Sequence, residues 1–477
     1  MDLAGVMGKM AEEQAGGWLP EIRKGGKPLY LAIADAIGQD IAQGRLSLDD
    51  RLPPQRILAD QLGLDLTTVS RAYAEAGRRG LVIGRVGQGT FVCRPTALPP
   101  PSEARSPGGV MDMTMNAPPL PNDPPLIARM RRDMAEMAMQ IDLRTLIGYR
   151  DYAGSAHDRK AGLRWLNPRL PDLTPERLLI CPGTQGAILA LFSLLARPGE
   201  TVCSEALTYP GAKAAAAQLG LQLIGLPMDG DGIDPDGFRI ACQTHAPKAL
   251  YCNPTQHNPT TLTMPLKRRQ ALVAIAREFG VPIIEDDAYG MIPLAGPPPL
   301  AALAPELTYH VSGLAKCVAP ALRIAYLAVP DARHAARVSA VLRATMLMAS
   351  PISSALATRW INGGTAQDML RAIRAEAVAR QTLATQILPL GSFDAAPDSS
   401  HLWLRLPSSW PRAQFVTALH GRNMVVAGSD AFAVTLPPPE ALRLCLGTLH
   451  DRGECAEALG IIADLLGQSP AVTAAFI

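Results

Sequence analysis

The stretch HVSGLAKCVAPALRIAY, from His310 to Tyr326, decides how the larger part of this chain is read. It holds one lysine, Lys316, among Leu314, Ala315, Cys317 and Val318, and one arginine, Arg323, seven residues on. An amine in apolar surroundings is easier to deprotonate, because burial disfavours its charged form. A lysine that is neutral part of the time can attack an aldehyde. Taken alone, Lys316 is also compatible with a surface lysine, so its neighbours along the chain carry the argument.

Outward from this point the pattern is one of short apolar runs. RLLICPG, TVCSEA, LQLIGLPM, ALYCNP, VPIIEDDAY, YHVSGLA and RIAYLAVP are separated by helical stretches such as QGAILALFSLLA and LKRRQALVAIAREFG. Strands alternating with helices predict an α/β fold, a mostly parallel sheet covered on both faces. Long helices and few strands from about Leu356 predict a smaller α+β part.

The commonest aldehyde partner of such a lysine is pyridoxal phosphate. It needs an anion site, a carboxylate at the pyridine nitrogen, donors to the ring oxygen and a flat group over the ring. Gly183, Thr184 and Gln185 stand where a strand ends and a helix begins, which suits a phosphate. Arg323 can add a charge-assisted clamp. Asp286 can hold the pyridine nitrogen protonated. Tyr289 and Asn258 can reach the ring hydroxyl, and Tyr209 can stack on the ring. These positions follow strand ends, where a doubly wound sheet places its ligands. Each signal has a plainer alternative: Tyr209 as a core or turn aromatic, Asp286 or Asp287 as a helix cap, Gly183 to Gln185 as an ordinary helix start, Asn258 as a turn residue. Their joint order favours the site.

The front of the chain has another character. Leu29, Ile33, Ile37 and Ile41 recur at helical spacing before Gly44. PPQRILADQLG and LTTVSRAYAEAGRRG read as two more helices, the last opened by Asp65. LVIGRVGQGTFV reads as two strands around a glycine-rich turn. Three helices and a hairpin predict a winged helix-turn-helix over residues 25–95, after an extension of residues 1–24. The candidate DNA contacts are Arg56, Thr67, Thr68, Ser70, Arg71, Arg85, Gly87 and Gly89. Arg71, Arg78, Arg79, Arg85 and Arg94 face a single acid, Glu75, between Thr67 and Pro95. A protein-contact role for this unit is the plainer alternative.

A proline- and glycine-rich linker, residues 96–111, joins this unit to residues 112–470, which divide into a large part (about 150–340) and a small part (about 356–470). Extended, about 15 residues reach roughly 45 Å, enough to set the two units on different subunits of a dimer.

Composition narrows the function class. The chain has 477 residues, is 48% hydrophobic and 18% charged, and carries a formal net charge of +2. This excludes a polycationic or polyanionic tail but not a local basic face. Eight scattered cysteines include no C-x-x-C pair, which argues against zinc ribbons and points to free thiols in a reducing cytoplasm. Neither a signal peptide nor a membrane span is read.

The first unit closely resembles the DNA-binding domain of GntR-family bacterial regulators: RLPPQR, TTVSRAY and the G-GTFV wing occur in order. Leu66 and Ser70 stand where many members carry DNA-contacting arginines. The larger part resembles the fold-type I aminotransferases through D-x-x-Y at Asp286 to Tyr289, N-P-T at Asn258 and K-x6-R at Lys316 to Arg323. That resemblance implies that Lys316 forms the aldimine with pyridoxal phosphate. It also implies that Tyr149 reaches the cofactor phosphate of a neighbouring subunit and that Arg443 binds an α-carboxylate. Family serines one and three residues before the lysine are Ala315 and Gly313 here, with Ser312 one place earlier as the remaining hydroxyl. Thr261 replaces the glycine of N-P-T-G.

The joined layout resembles the MocR-type regulators. The resemblance implies a homodimer that binds operator DNA and an amine or amino acid effector, exchanged at Lys316. A working aminotransferase with an accessory DNA-binding domain is the alternative, and a scaffold that has lost the cofactor is a third.

Overall fold

The computed structural model describes residues 18–22, 28–78, 81–85, 88–93, 109–149 and 151–468. The chain divides into two compact units at Gly108 and Gly109.

In the first unit α1 (Leu29–Ala42), α2 (Gln55–Leu62) and α3 (Leu66–Arg78) precede β1 (Val82–Arg85) and β2 (Gly89–Val92), which pair antiparallel. Ile33 and Ile37 of α1 pack on Leu58, Val69, Tyr73 and Val92. Gly63 ends α2 in the left-handed conformation, which glycine adopts without a Cβ penalty. Asp65 caps α3 by accepting the Thr67 N–H at 2.8 Å. Trp18 and Ile22 also pack on this core, and Trp18 Nε1 donates to Asp40 at 2.7 Å. Trp18 and Ile22 both belong to the span read as an N-terminal extension.

In the second unit β3 (Met111–Asp112) straddles the end of the span read as linker and pairs with a strand more than 300 residues later. The elements that position the site follow: α4 (Pro124–Gln140), α5 (Ala156–Leu166), β4 (Leu178–Cys181), α6 (Gly183–Leu195), β5 (Thr201–Glu205), α7 (Pro210–Gln218), β6 (Gln222–Leu226), β7 (Leu250–Cys252), α8 (Leu266–Phe279), β8 (Ile283–Asp286), β9 (Thr308–Gly313) and β10 (Ala325–Ala328). Then come α9 (Ala332–Thr345), α10 (Pro351–Gly363), α11 (Thr365–Ile387), β11 (Phe393–Asp394), β12 (His401–Arg405), β13 (Met424–Val425), β14 (Ala427–Gly428), β15 (Ala441–Cys445) and α12 (Arg452–Leu466).

The seven apolar runs are the seven strands of one sheet, ordered β4-β10-β9-β8-β7-β5-β6. All neighbours are parallel except β10, which runs antiparallel to both β9 and β4. Both faces are covered. Leu179 packs under α6 and α9 with Ile188, Phe192 and Leu342. Its neighbours Leu178 and Ile180 face the opposite way, against Trp165 and Trp360. Such two-sided burial is why these strands read as continuous apolar runs rather than as alternation.

The small part is built on an antiparallel sheet, β11-β12-β15-β14, over α11 and α12, with β3 and β13 forming a separate parallel pair. It holds more sheet than the sequence pattern suggests, because its strands are two to five residues long and offer little period to detect. Among the described residues, no helix is long and apolar enough to cross a membrane.

Candidate functional site

A cavity of about 250 Å³ opens at the C-terminal ends of β8 and β9, lined by residues from Thr114 to Arg443. Lys316 leaves the turn after β9 and points into it. Its Nζ donates to the Asn116 main-chain carbonyl. Burial lowers its pKa to about 8, with Arg443 and Arg323 adding to the effect.

At the end of β8, Asp286 is buried. Its Oδ2 accepts from the Tyr251 hydroxyl at 2.8 Å, while Oδ1 has no partner. Burial pushes this carboxyl up to about 6. A buried acceptor without a donor is costly unless a ligand supplies one. Asp286 caps no helix. The Tyr289 hydroxyl accepts from Asn116 Nδ2 at 2.8 Å. Asn116 Nδ2 also lies 3.2 Å from His401 Nδ1.

Opposite, Gly183, Thr184 and Gln185 form the first turn of α6, whose leading N–H groups face the cavity mouth. Gly183 has φ +79°, and a Cβ there would meet the Arg323 guanidinium at 2.8 Å. Arg323 makes no side-chain hydrogen bond or ion pair among the described residues. A helix N-terminus and a free guanidinium thus converge on one anion-sized cradle. Gln185 Nε2 donates to the Gly211 carbonyl at 2.8 Å, tying this turn to Tyr209, which precedes α7.

Arg443, on β15, is 5% exposed. Nη1 donates to Asn258 Oδ1 at 2.9 Å and Nη2 to the Thr114 carbonyl, and the guanidinium stacks 4.9 Å over Phe432. Nε has no partner, and no carboxylate pairs with it among the described residues. A buried cation left without an anion is poised to take one from a ligand. The Phe432–Val434 segment is itself tied to the loop before Tyr209: Thr208 N–H donates to the Phe432 carbonyl at 2.9 Å and Val434 N–H to that of Ala206 at 2.8 Å.

Nine of the eleven residues assigned to the cofactor line this cavity, and Arg443 lines it with them: Gly183, Thr184, Gln185, Tyr209, Asn258, Asp286, Tyr289, Lys316 and Arg323. Ser312 does not. Strand alternation places Gly313 against Thr184, so Ser312 turns to the opposite side. Tyr149 does not line it either; it is 82% exposed on the surface of this chain. Three polar residues escaped the sequence reading: Asn116, Tyr251 and Asn253. Asn253 Oδ1 accepts the Asn258 N–H at 2.8 Å, and the doubled N-P-T of NPTQHNPT is the signal that could have found it.

In the first unit Arg56, Thr67, Ser70 and Gly89 are exposed and Thr68 is half-buried. The Thr67 hydroxyl is committed to Asp65 at 2.5 Å, so it is not free to donate to a phosphate. Arg71 is exposed and stacks 4.3 Å over the Tyr30 ring. Arg51, absent from the sequence list, lies beside Gly89 and lines a cleft with Arg56 and Leu66. Arg85 ends β1 opposite Gly89; its side chain and Gly87 lie outside the described residues.

Comparison with known proteins agrees with this two-part reading. Residues 29–92 match the model of the bacterial regulatory proteins of the gntR family, and residues 108–462 that of aminotransferase class I and II. The uncharacterized HTH-type transcriptional regulator YdeF of Bacillus subtilis is 29% identical over 94% of this chain and 96% of its own length. The vitamin B6 salvage pathway transcriptional repressor PtsJ of Salmonella typhimurium is 28% identical over 88% of this chain and 94% of its own. The probable rhizopine catabolism regulatory protein MocR of Rhizobium meliloti is 25% identical over 64% and 66%. Among solved structures, the α-aminoadipate aminotransferase LysN of Thermus thermophilus superposes with a TM-score of 0.68 at 21% identity, covering 78% of this chain and 94% of that one. With a GntR-type winged helix in front and a class I and II aminotransferase domain along about three quarters of its length, the chain belongs to the MocR-type subfamily of GntR regulators.

Proposed function

We propose that this protein is a transcriptional regulator that holds pyridoxal phosphate at Lys316 and couples the binding of an amine effector to operator DNA. The observation that carries the reading is the meeting of Lys316, its pKa lowered to about 8 by burial, with the unpartnered Asp286 Oδ1 in one cavity. When bound, the cofactor supplies an electrophilic carbon on which one primary amine can replace another. The protein's own residues do the rest. The α6 N-terminus and Arg323 bind phosphate, Asp286 holds a proton at the pyridine nitrogen, and Tyr289 and Asn258 orient the ring hydroxyl. Tyr209 flanks the ring. Arg443 takes the acid group of the effector, a carboxylate or sulfonate.

Lys316 stands in a site that both parts of the second unit build, so a bound effector that took its place on the cofactor would leave the amine free within that site. If that change favours one placement of the winged helices, a coupling of about 1–3 kcal/mol alters operator affinity roughly 5–150-fold. A symmetric homodimer suits paired half-sites. Exposed Met139, Leu143, Ile147 and Tyr149 support such an interface, in which Tyr149 reaches the partner's site.

The test begins with borohydride reduction of the protein incubated with pyridoxal phosphate. Peptide mapping should find the label on Lys316, and Lys316→Ala should lose both the visible band and any effector response in a DNA-binding assay. A screen of amines for spectral change, repeated with operator DNA, identifies the effector. A label on another residue overturns the site. Multiple turnovers with an amino donor and keto acceptor at ordinary enzyme rates favour the aminotransferase reading instead.

A further inference from the structure

Two carboxylates stand side by side at the end of β8, and only Asp286 lines the cavity. Asp287 is buried on the other side of the strand. Its Oδ2 accepts from Arg169 Nη2 at 3.0 Å, from Arg169 Nε at 3.3 Å and from His310 Nε2 at 3.1 Å. Arg169 comes from the turn after α5 and also donates to the Pro297 carbonyl at 3.2 Å. Neither Arg169 nor His310 lines the cavity.

We propose that Arg169 and Asp287 form a positioning pair that fixes the Asp286–Tyr289 turn and sets the electrostatic potential at the Asp286 carboxylate, and thereby how tightly the cavity holds its protons. The proposal rests on the cavity being a pyridoxal phosphate site. Geometry gives the reason. Asp287 begins the turn that carries Tyr289: the Gly290 N–H donates to its carbonyl at 3.1 Å, and a side chain at Gly290 would collide with the Asp287 carboxylate. A negative charge buried next to Asp286 resists ionisation of Asp286. The Arg169 guanidinium, hydrogen-bonded to Asp287 at 3.0 Å, opposes that charge. Burial pushes Asp287 up, but Arg169 and His310 overcome it and hold the carboxyl low.

Other charged or titratable groups surround the pair. Arg269 on α8, Glu285 on β8 and Cys317 after β9 face Asp287. Tyr251, Lys316, Glu205, Tyr209, Tyr289 and Cys252 face Asp286. Arg269 keeps its positive charge near Asp287 in every variant, but its hydrogen bonds go to the Pro254 carbonyl at 2.9 Å and Thr255 Oγ1 at 3.0 Å and not to the Asp287 carboxylate.

The experiment titrates the visible absorption band of pyridoxal phosphate bound to the full-length protein. Asp287→Asn removes a negative charge and should lower the pH midpoint. Arg169→Met removes a positive one and should raise it, each by on the order of half a pH unit. The double variant should return near the wild-type midpoint, and Arg169→Lys should stay close to it. Should Arg169→Met fail to fold, Asp287→Asn and the double variant still decide the sign and the cancellation. Shifts in the same direction, or no shift in either variant, overturn the pair. Loss of cofactor affinity without any change in midpoint means a packing role only and also overturns it. A wild-type protein that shows no visible band overturns the reading of the cavity, and the pair with it.

Discussion

Asp286 gains nothing from its own burial. Its carboxyl is pushed up to about 6, so in the cofactor-free protein at pH 8 an ionised group sits in the interior with one oxygen unpartnered. A folded-state pKa above the unfolded one means that stability is greatest at low pH and falls as pH rises through about 6. Asp286→Asn should therefore stabilise the cofactor-free protein at pH 8 by on the order of 2–3 kcal/mol, with the gain absent below about pH 4. Urea unfolding at the two pH values checks this, and the same variant should bind pyridoxal phosphate more weakly. Residues at this scale were legible in the sequence where they belong to a motif: Lys316, Arg323, Asp286 and Tyr289 all line the cavity. Asn116 was not, because it acts partly through a main-chain carbonyl and meets its partners across 173 and 200 positions. Arg169 was not, because an arginine in a turn carries no periodic signal. Ser312 was assigned by nearness to Lys316, but one step along a strand reverses the face.

At the scale of elements, the start of α6 does what a sequence of strand, glycine and helix predicts. Gly183 accepts a left-handed φ and leaves room for Arg323. Gly183→Ala would force both a strained backbone and displacement of the guanidinium. We expect it to weaken cofactor binding by roughly tenfold or more with little change in helix content, measured by spectral titration and circular dichroism. Six of the seven sheet strands could be read because they are buried on both faces, while edge strand β6 is only partly covered and was read from its apolar run alone. The helices between them could be read because they are long. The reversed direction of β10 could not, since an apolar run has no sense of orientation. The short strands of the small part escaped because two to five residues show little pattern.

Across the whole molecule, two units meet different partners by different physics. The first presents exposed Arg56, Ser70 and Arg71 on a nearly neutral chain, so its attraction to DNA is local. Arg71→Ala should weaken binding to an operator selected from a random-sequence pool. If Arg71 contacts a phosphate, the slope of log affinity against log salt should fall by about one. An unchanged slope with altered sequence preference would assign Arg71 to a base instead.

The second unit completes its cavity with a hydrogen bond between Thr114 and Arg443, 329 positions apart. The winged helix, by contrast, is finished at Val92. At roughly 5–20 residues per second of translation, the cavity closes tens of seconds after the first unit can fold. A nascent chain thus acquires its winged-helix fold well before the cavity exists, and a transcript cut short in between would encode the first unit without any ligand site.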